Sequence, residues 1–75
     1  MKITYDRAAN AAYIQITDQI EAGSVARTIA VNENDGPTDS FNLDLDNEGK
    51  LLGIEVLSAR SQLAAKVLEA AEIIG

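Results

Sequence analysis

The sequence predicts an α+β domain: an antiparallel β-sheet meander of four to five strands with one C-terminal α-helix packed on one face. Three observations carry that prediction. Apolar and polar residues alternate through most of the first 57 positions, as half-buried strands of an antiparallel sheet require. Clusters of Asn, Asp, Gly and Ser punctuate the alternation at turn spacing. After residue 58 the apolar period lengthens from two to between three and four, the period of a helix face.

The first strand is Lys2 to Tyr5, and a turn over residues 6–10 leads into a second alternating run from Ala12 to Thr17. Residues 18–24, with Gly23, form a loop before a third strand from Val25 to Val31, in which Val25, Ile29 and Val31 share a phase that Arg27 interrupts. A long charged side chain on an apolar face is tolerated where it reaches water, so Arg27 marks a sheet edge. Residues 32–39 contain Asn34-Asp35-Gly36-Pro37 and are the longest irregular connection. Phe41, Leu43 and Leu45 then alternate with Asn42, Asp44 and Asp46, and Leu52, Ile54 and Val56 continue the buried face on a fifth strand.

From residue 59 to 74, Leu63, Val67, Ala70, Ala71 and Ile74 define one stripe, while Gln62, Lys66, Glu69 and Glu72 lie towards the other side. Ser58 or Ser61 suits the N-cap and Gly75 the helix end. A sheet with one apolar face must bury it against another layer, and this helix is the element available for it.

Size and composition bound the function. Seventy-five residues make one domain, spanning the whole chain, with a small core, and self-association to a homodimer is the expected remedy for marginal burial. The chain has neither Cys nor His, so thiolate chemistry, disulfides and the usual neutral-pH base and transition-metal ligand are missing. The hydroxyls of Ser24, Ser40, Ser58 and Ser61 therefore lack a base, and no Gly-rich phosphate loop is present. An enzyme is not expected, nor is a cofactor. Twelve acidic residues against six basic ones give a net charge of −6, and the basic residues are scattered, which disfavours nucleic acid. No apolar run reaches the roughly 20 residues that span a bilayer, and the N-terminus lacks a signal-peptide core, so a soluble, cytoplasmic protein without a membrane partner is expected.

Residues 41–57 admit two readings. Counting from Asp44, the positions of a calcium loop fall on Asp44, Asp46, Glu48, Lys50, Leu52 and Glu55, with Gly49 at the turn. Against it stand the long Glu48 at the fifth position, Gly36-Pro37 where an entering helix would run, and flanks of period two. A hairpin turning at Asn47-Glu48-Gly49 accounts for the same residues, because Gly accepts the positive φ of a short connection. The hairpin is the reading adopted, with a small calcium- or ligand-binding domain using the carboxylates from Asp44 to Glu55 as the alternative.

The face opposite the core collects Lys2 and Thr4; Tyr13, Gln15 and Thr17; Ala26, Thr28 and Ala30; Asn42, Asp44 and Asp46; and Leu51, Gly53, Glu55 and Leu57. It is mostly polar, with Tyr13, Leu51 and Leu57 as apolar exceptions. Tyr13, Asp44, Asp46, Leu51, Glu55 and Leu57 are therefore the candidate partner-binding residues, for a protein partner or a second copy.

Three blocks carry a family resemblance: Ile3-Thr4-Tyr5-Asp6 with Ala11-Ala12-Tyr13-Ile14; Val25-Ala26-Arg27-Thr28-Ile29; and Leu43-Asp44-Leu45-Asp46 through Gly49-Lys50-Leu51-Leu52-Gly53-Ile54-Glu55-Val56-Leu57. Together they resemble small bacterial proteins grouped as domain of unknown function 2283, over most of residues 2–60. The resemblance implies a compact antiparallel sheet followed by a helix, and supplies no catalytic residues. It also implies an antitoxin-like or partner-binding role, since such proteins sometimes sit beside small toxin-like ones. The chain departs from the usual pattern in a longer connection over residues 32–39 and a longer C-terminal helix.

Overall fold

Alternation becomes strand in each of the five predicted places. A computed structural model describes residues 1–17, 19–31 and 41–75, so the predicted 32–39 connection lies outside the described residues. The elements are β1 (Lys2–Asp6), β2 (Ala11–Gln15), β3 (Arg27–Val31), β4 (Phe41–Leu45), β5 (Leu51–Leu57), α1 (Ala59–Gln62), α2 (Ala65–Ala70) and β6 (Glu72–Ile73). Among the described residues the strands form one six-stranded sheet in the order β3-β4-β5-β2-β1-β6.

Register explains the apolar face. Ile3, Ile14, Ile54, Leu43 and Ile29 oppose one another in one row across β1, β2, β5, β4 and β3. Tyr5, Ala12, Val56, Phe41 and Val31 form the next. Side chains opposite one another in a ladder share a face, so both rows point to the same side. The core forms where the helices cover them: Tyr5, Ala12, Val56 and Ala59 are buried, with Ile14, Phe41, Ile54, Leu63, Leu68 and Ala71 packed around them.

The expectation of a meander is corrected. β5 sits between β4 and β2, and the chain crosses from β2 to the far edge to begin β3. The most apolar strand thus takes the middle, where both its edges are paired. β3, whose Arg27 is exposed, takes the outside, as that residue predicted. The sheet also exceeds five strands and is mixed, because β6 runs parallel to β1 with Thr4 opposite Glu72 and Tyr5 opposite Ile73.

The single helix over residues 59–74 is corrected as well. It is two short helices, interrupted where Leu63 and Ala64 become extended, and α2 ends at an extended Ala71. No Pro or Gly causes the breaks. The edge of β1 supplies a competing demand for backbone partners: Ile74 N–H donates to the Tyr5 carbonyl at 3.0 Å and Arg7 N–H to the Gly75 carbonyl at 3.1 Å. β-branched Ile73 and Ile74 suit that extended pairing better than a helix. The buried stripe changes accordingly, with Leu68 packed on the core and Ile74 exposed.

Neither serine caps α1. Ser58 holds the N-cap position with φ 52° and makes no side-chain cap hydrogen bond. Asn10, in the β1–β2 turn with φ 53°, does that work from 50 residues away. Its carbonyl accepts Ala59 N–H at 2.9 Å and its Oδ1 accepts Arg60 N–H at 3.0 Å. Asn tolerates the left-handed region that such a turn requires, and its amide oxygen satisfies a helix N–H that would otherwise lack a partner.

Candidate polar face

Among the described residues no helix covers the second face of the sheet, the open face. Two rows cross it: Glu72, Thr4, Tyr13, Glu55, Asn42 and Ala30 in one, Lys2, Gln15, Gly53, Asp44 and Thr28 in the other. Tyr13 leans from its own row onto its neighbour. A Cβ on Gly53 would run into the hydroxyl and ring of Tyr13, so the absent side chain makes the place where the ring lies.

From there Tyr13 Oη donates to Asp44 Oδ2 at 2.8 Å, and Thr28 Oγ1 donates to Asp44 Oδ1 at 2.7 Å. Asn42 Nδ2 donates to Glu55 Oε1 at 2.7 Å. Burial pushes the Tyr13 phenol up to about 12, helped by its hydrogen bond to Asp44 and by the negative charges of Asp44 and Glu55. The phenol is therefore a proton donor across the physiological range, and it holds the Asp44 carboxylate in one orientation.

Both carboxylates are oriented by neutral donors rather than by cations. Among the described residues the ion pairs are Lys2 with Glu72 at 3.2 Å and Lys50 with Glu48 at 4.0 Å, both between well-exposed side chains. Asp44 and Glu55 thus sit half-buried in the middle strands of the sheet, with no counter-ion within ion-pair distance among the described residues.

The hairpin between β4 and β5 is as predicted, and Gly49 has the positive φ, 80°, that its turn requires. The expected position of Asp46 on the acidic face is corrected. Its Oδ1 accepts Glu48 N–H and Lys50 N–H, each at 2.9 Å, and its carbonyl accepts Gly49 N–H at 3.0 Å, so this side chain closes the turn. Leu51 moves too. A register shift after Asp44 sets Leu51 opposite Leu45, and alternation with Phe41 and Leu43 assigns Leu45 to the apolar side. Leu57 stays with the open face, opposite Ala11.

Of the six candidate partner-binding residues, then, Tyr13, Asp44, Glu55 and Leu57 share the open face, while Asp46 and Leu51 do not. The residues that complete the polar network, Thr28, Asn42 and Gly53, lie in the phase that alternation assigned to this face; their partners became visible only with the strand order. Asp44, Asp46 and Glu55 do not converge, and among the described residues no group of three or more acidic side chains is placed to hold a metal ion.

A single mixed sheet with short helices on one side and a hydrogen-bonded polar face on the other defines a small α+β sheet domain. The chain belongs to the family described as protein of unknown function (DUF2283), whose profile matches residues 2–60. That span holds β1 to β5 and the start of α1, and leaves α2 and β6 outside. No curated protein and no solved structure matches the chain. Among the described residues no helix is long and apolar enough to cross a membrane.

Proposed function

We propose that this is a non-enzymatic protein-interaction module of the cytoplasm, antitoxin-like in that it holds a basic protein partner on the open polar face. One observation carries the reading: Asp44 and Glu55 are oriented by Tyr13, Thr28 and Asn42 but have no cation within ion-pair distance among the described residues. A carboxylate fixed by neutral donors keeps its charge and its geometry, so an incoming Lys or Arg meets a preorganised acceptor. Tyr13 adds a rigid aromatic surface beside it, and Leu57 an apolar margin. A net charge of −6 favours a basic partner over nucleic acid or an anionic membrane surface.

The test is co-expression with the product of each adjoining gene, followed by binding measured on any pair that co-purifies. Asp44→Asn with Glu55→Gln removes both charges and keeps an acceptor for Tyr13 and for Asn42. The amide NH2 at position 44 replaces the oxygen that accepts from Thr28, whose hydroxyl can turn to accept from it. The double variant is expected to weaken binding by about tenfold or more, equivalent to at least ~1.4 kcal/mol. Binding that is indifferent to both the substitutions and ionic strength would sink the reading.

A further inference from the structure

The outer edge of β1 is covered by a segment that the family profile does not include. Residues 72–75 run parallel to it, and four features fit them to that place. Lys2 Nζ meets Glu72 Oε2 at 3.2 Å. The Tyr5 carbonyl accepts Ile74 N–H at 3.0 Å. The Gly75 carbonyl accepts Arg7 N–H at 3.1 Å and Arg7 Nε–H at 3.4 Å. A Cβ at position 75 would run into the Asp6 carboxylate, which would have to turn aside, so the close fit favours glycine there. The edge thus fits a segment with an acidic first residue and a small last one, by charge, backbone pairing and space.

The segment is lightly held. Its ladder is two residues long, Ile73 and Ile74 are 46% and 62% exposed, and α2 before it has no buried residue. Extended backbone at Leu63, Ala64 and Ala71 provides joints on either side of α2. Elements with few buried contacts open at low free energy while the rest of the domain stays folded.

We propose that the β1 edge is a strand-docking site that takes residues 72–75 of a second copy as well as its own, so that two chains exchange their C-terminal segments in a symmetric dimer. The exchanged and the closed forms make the same contacts at the edge, and the difference between them lies in the joints and in concentration. The opened edge would otherwise leave the outer N–H and C=O groups of β1 unpaired, which is why another copy of the same segment is its occupant. This inference does not depend on the acidic face, and removing the charges of Asp44 and Glu55 leaves it untouched.

The chain has no cysteine, so Thr4→Cys with Glu72→Cys introduces two thiols at positions opposite one another in the β1–β6 register. Oxidation over a range of protein concentrations, read on a non-reducing gel with peptide mapping, is expected to give an intrachain bridge when dilute. An interchain bridge between positions 4 and 72 should appear with it, its share rising about tenfold for each tenfold increase in concentration while it remains minor. Intrachain product at every concentration, no bridge at all, or interchain bridges joining like positions would overturn the exchange. The unaltered protein gives a second measurement. Isotope-labelled and unlabelled copies, unfolded and refolded together, should show filtered NOEs from Tyr5 of one copy to the Ile73 methyls of the other, and contacts confined to one copy would count against the proposal.

Discussion

Tyr13 reaches over Gly53 to donate a hydrogen bond to Asp44 Oδ2 at 2.8 Å. One side chain on β2 thereby spans β5 and ties to β4. A slip of one residue in either ladder would move Asp44 or Gly53 to the other face and break the arrangement, so the contact selects the register of three strands at once. The same contact aligns a carboxylate on the open face, which places fold specificity and the candidate interaction surface in one set of residues.

Gly53→Ala should be costly for a reason that backbone conformation does not supply. Gly53 has no positive φ, and the space for a methyl group is filled by the Tyr13 ring. Displacing the ring should destabilise the domain by about 1–3 kcal/mol in urea unfolding. In a Tyr13→Ala background the same methyl meets no ring, and the non-additivity should be of order 1 kcal/mol or more. Strict additivity would show that the ring and the glycine do not depend on one another.

Tyr13→Phe keeps the ring over Gly53 and removes the donor. Asp44 retains Thr28, so the loss at neutral pH should be about 1 kcal/mol. The alkaline limb is more diagnostic. The folded phenol titrates at about 12 against 10.0 for the free group, so between those values the folded state holds a proton that the unfolded chain has released. Stability from this group is fully present below pH 10 and is lost as pH rises through 12. Discounted for partial exposure, the loss is about 1–2 kcal/mol. Urea midpoints of wild type and Tyr13→Phe should therefore converge as pH rises above 10; a constant gap would remove the Tyr13 phenol as the cause.

Much of this face was legible from local pattern, and the remainder depended on long-range competition. Alternation placed Tyr13, Asp44, Glu55, Thr28, Asn42 and Gly53 on one side, and Asn47-Glu48-Gly49 announced the hairpin, because both signals act within a few residues. Nothing local indicates that β5 intervenes between β4 and β2, since that order brings together residues as far apart as Tyr13 and Gly53, 40 positions later in the chain. The register shift after Asp44 likewise moved Leu51 to the other side without altering the alternation upstream. The C-terminal period was compatible with a continuous helix, and it yielded at Leu63, Ala64 and Ala71 where the unpaired edge of β1 offered Ile74 and Gly75 backbone partners.

Asp46 should matter to the turn rather than to the interaction surface. Its Oδ1 accepts two backbone N–H groups, those of Glu48 and Lys50. Asp46→Ala should destabilise the domain by about 1 kcal/mol and speed amide exchange at Glu48 and Lys50, whereas Asp46→Asn preserves an acceptor and should recover most of the loss. Partner binding per folded molecule should not change. A binding loss in Asp46→Asn with unaltered amide exchange would return this residue to the interaction surface.

Asn10 separates two requirements that usually coincide. Its backbone occupies the left-handed region with φ 53°, and its amide oxygen accepts Arg60 N–H at 3.0 Å at the start of α1. Asn10→Gly satisfies the backbone but deletes the acceptor, and Asn10→Ala fails on both counts. Asn10→Asp keeps the acceptor and a side chain suited to the turn, and adds a negative charge at a helix start. The expected order of stability is therefore Asn and Asp highest, Gly lower by about 0.5–1 kcal/mol, and Ala lowest, by about 2 kcal/mol. Arg60 N–H exchange should accelerate in the Gly and Ala variants alike, because both lack the oxygen. If Gly matched wild type in stability and in Arg60 protection, the turn conformation alone would account for Asn10, and α1 would need only the backbone carbonyl at position 10 as its cap from the β1–β2 turn.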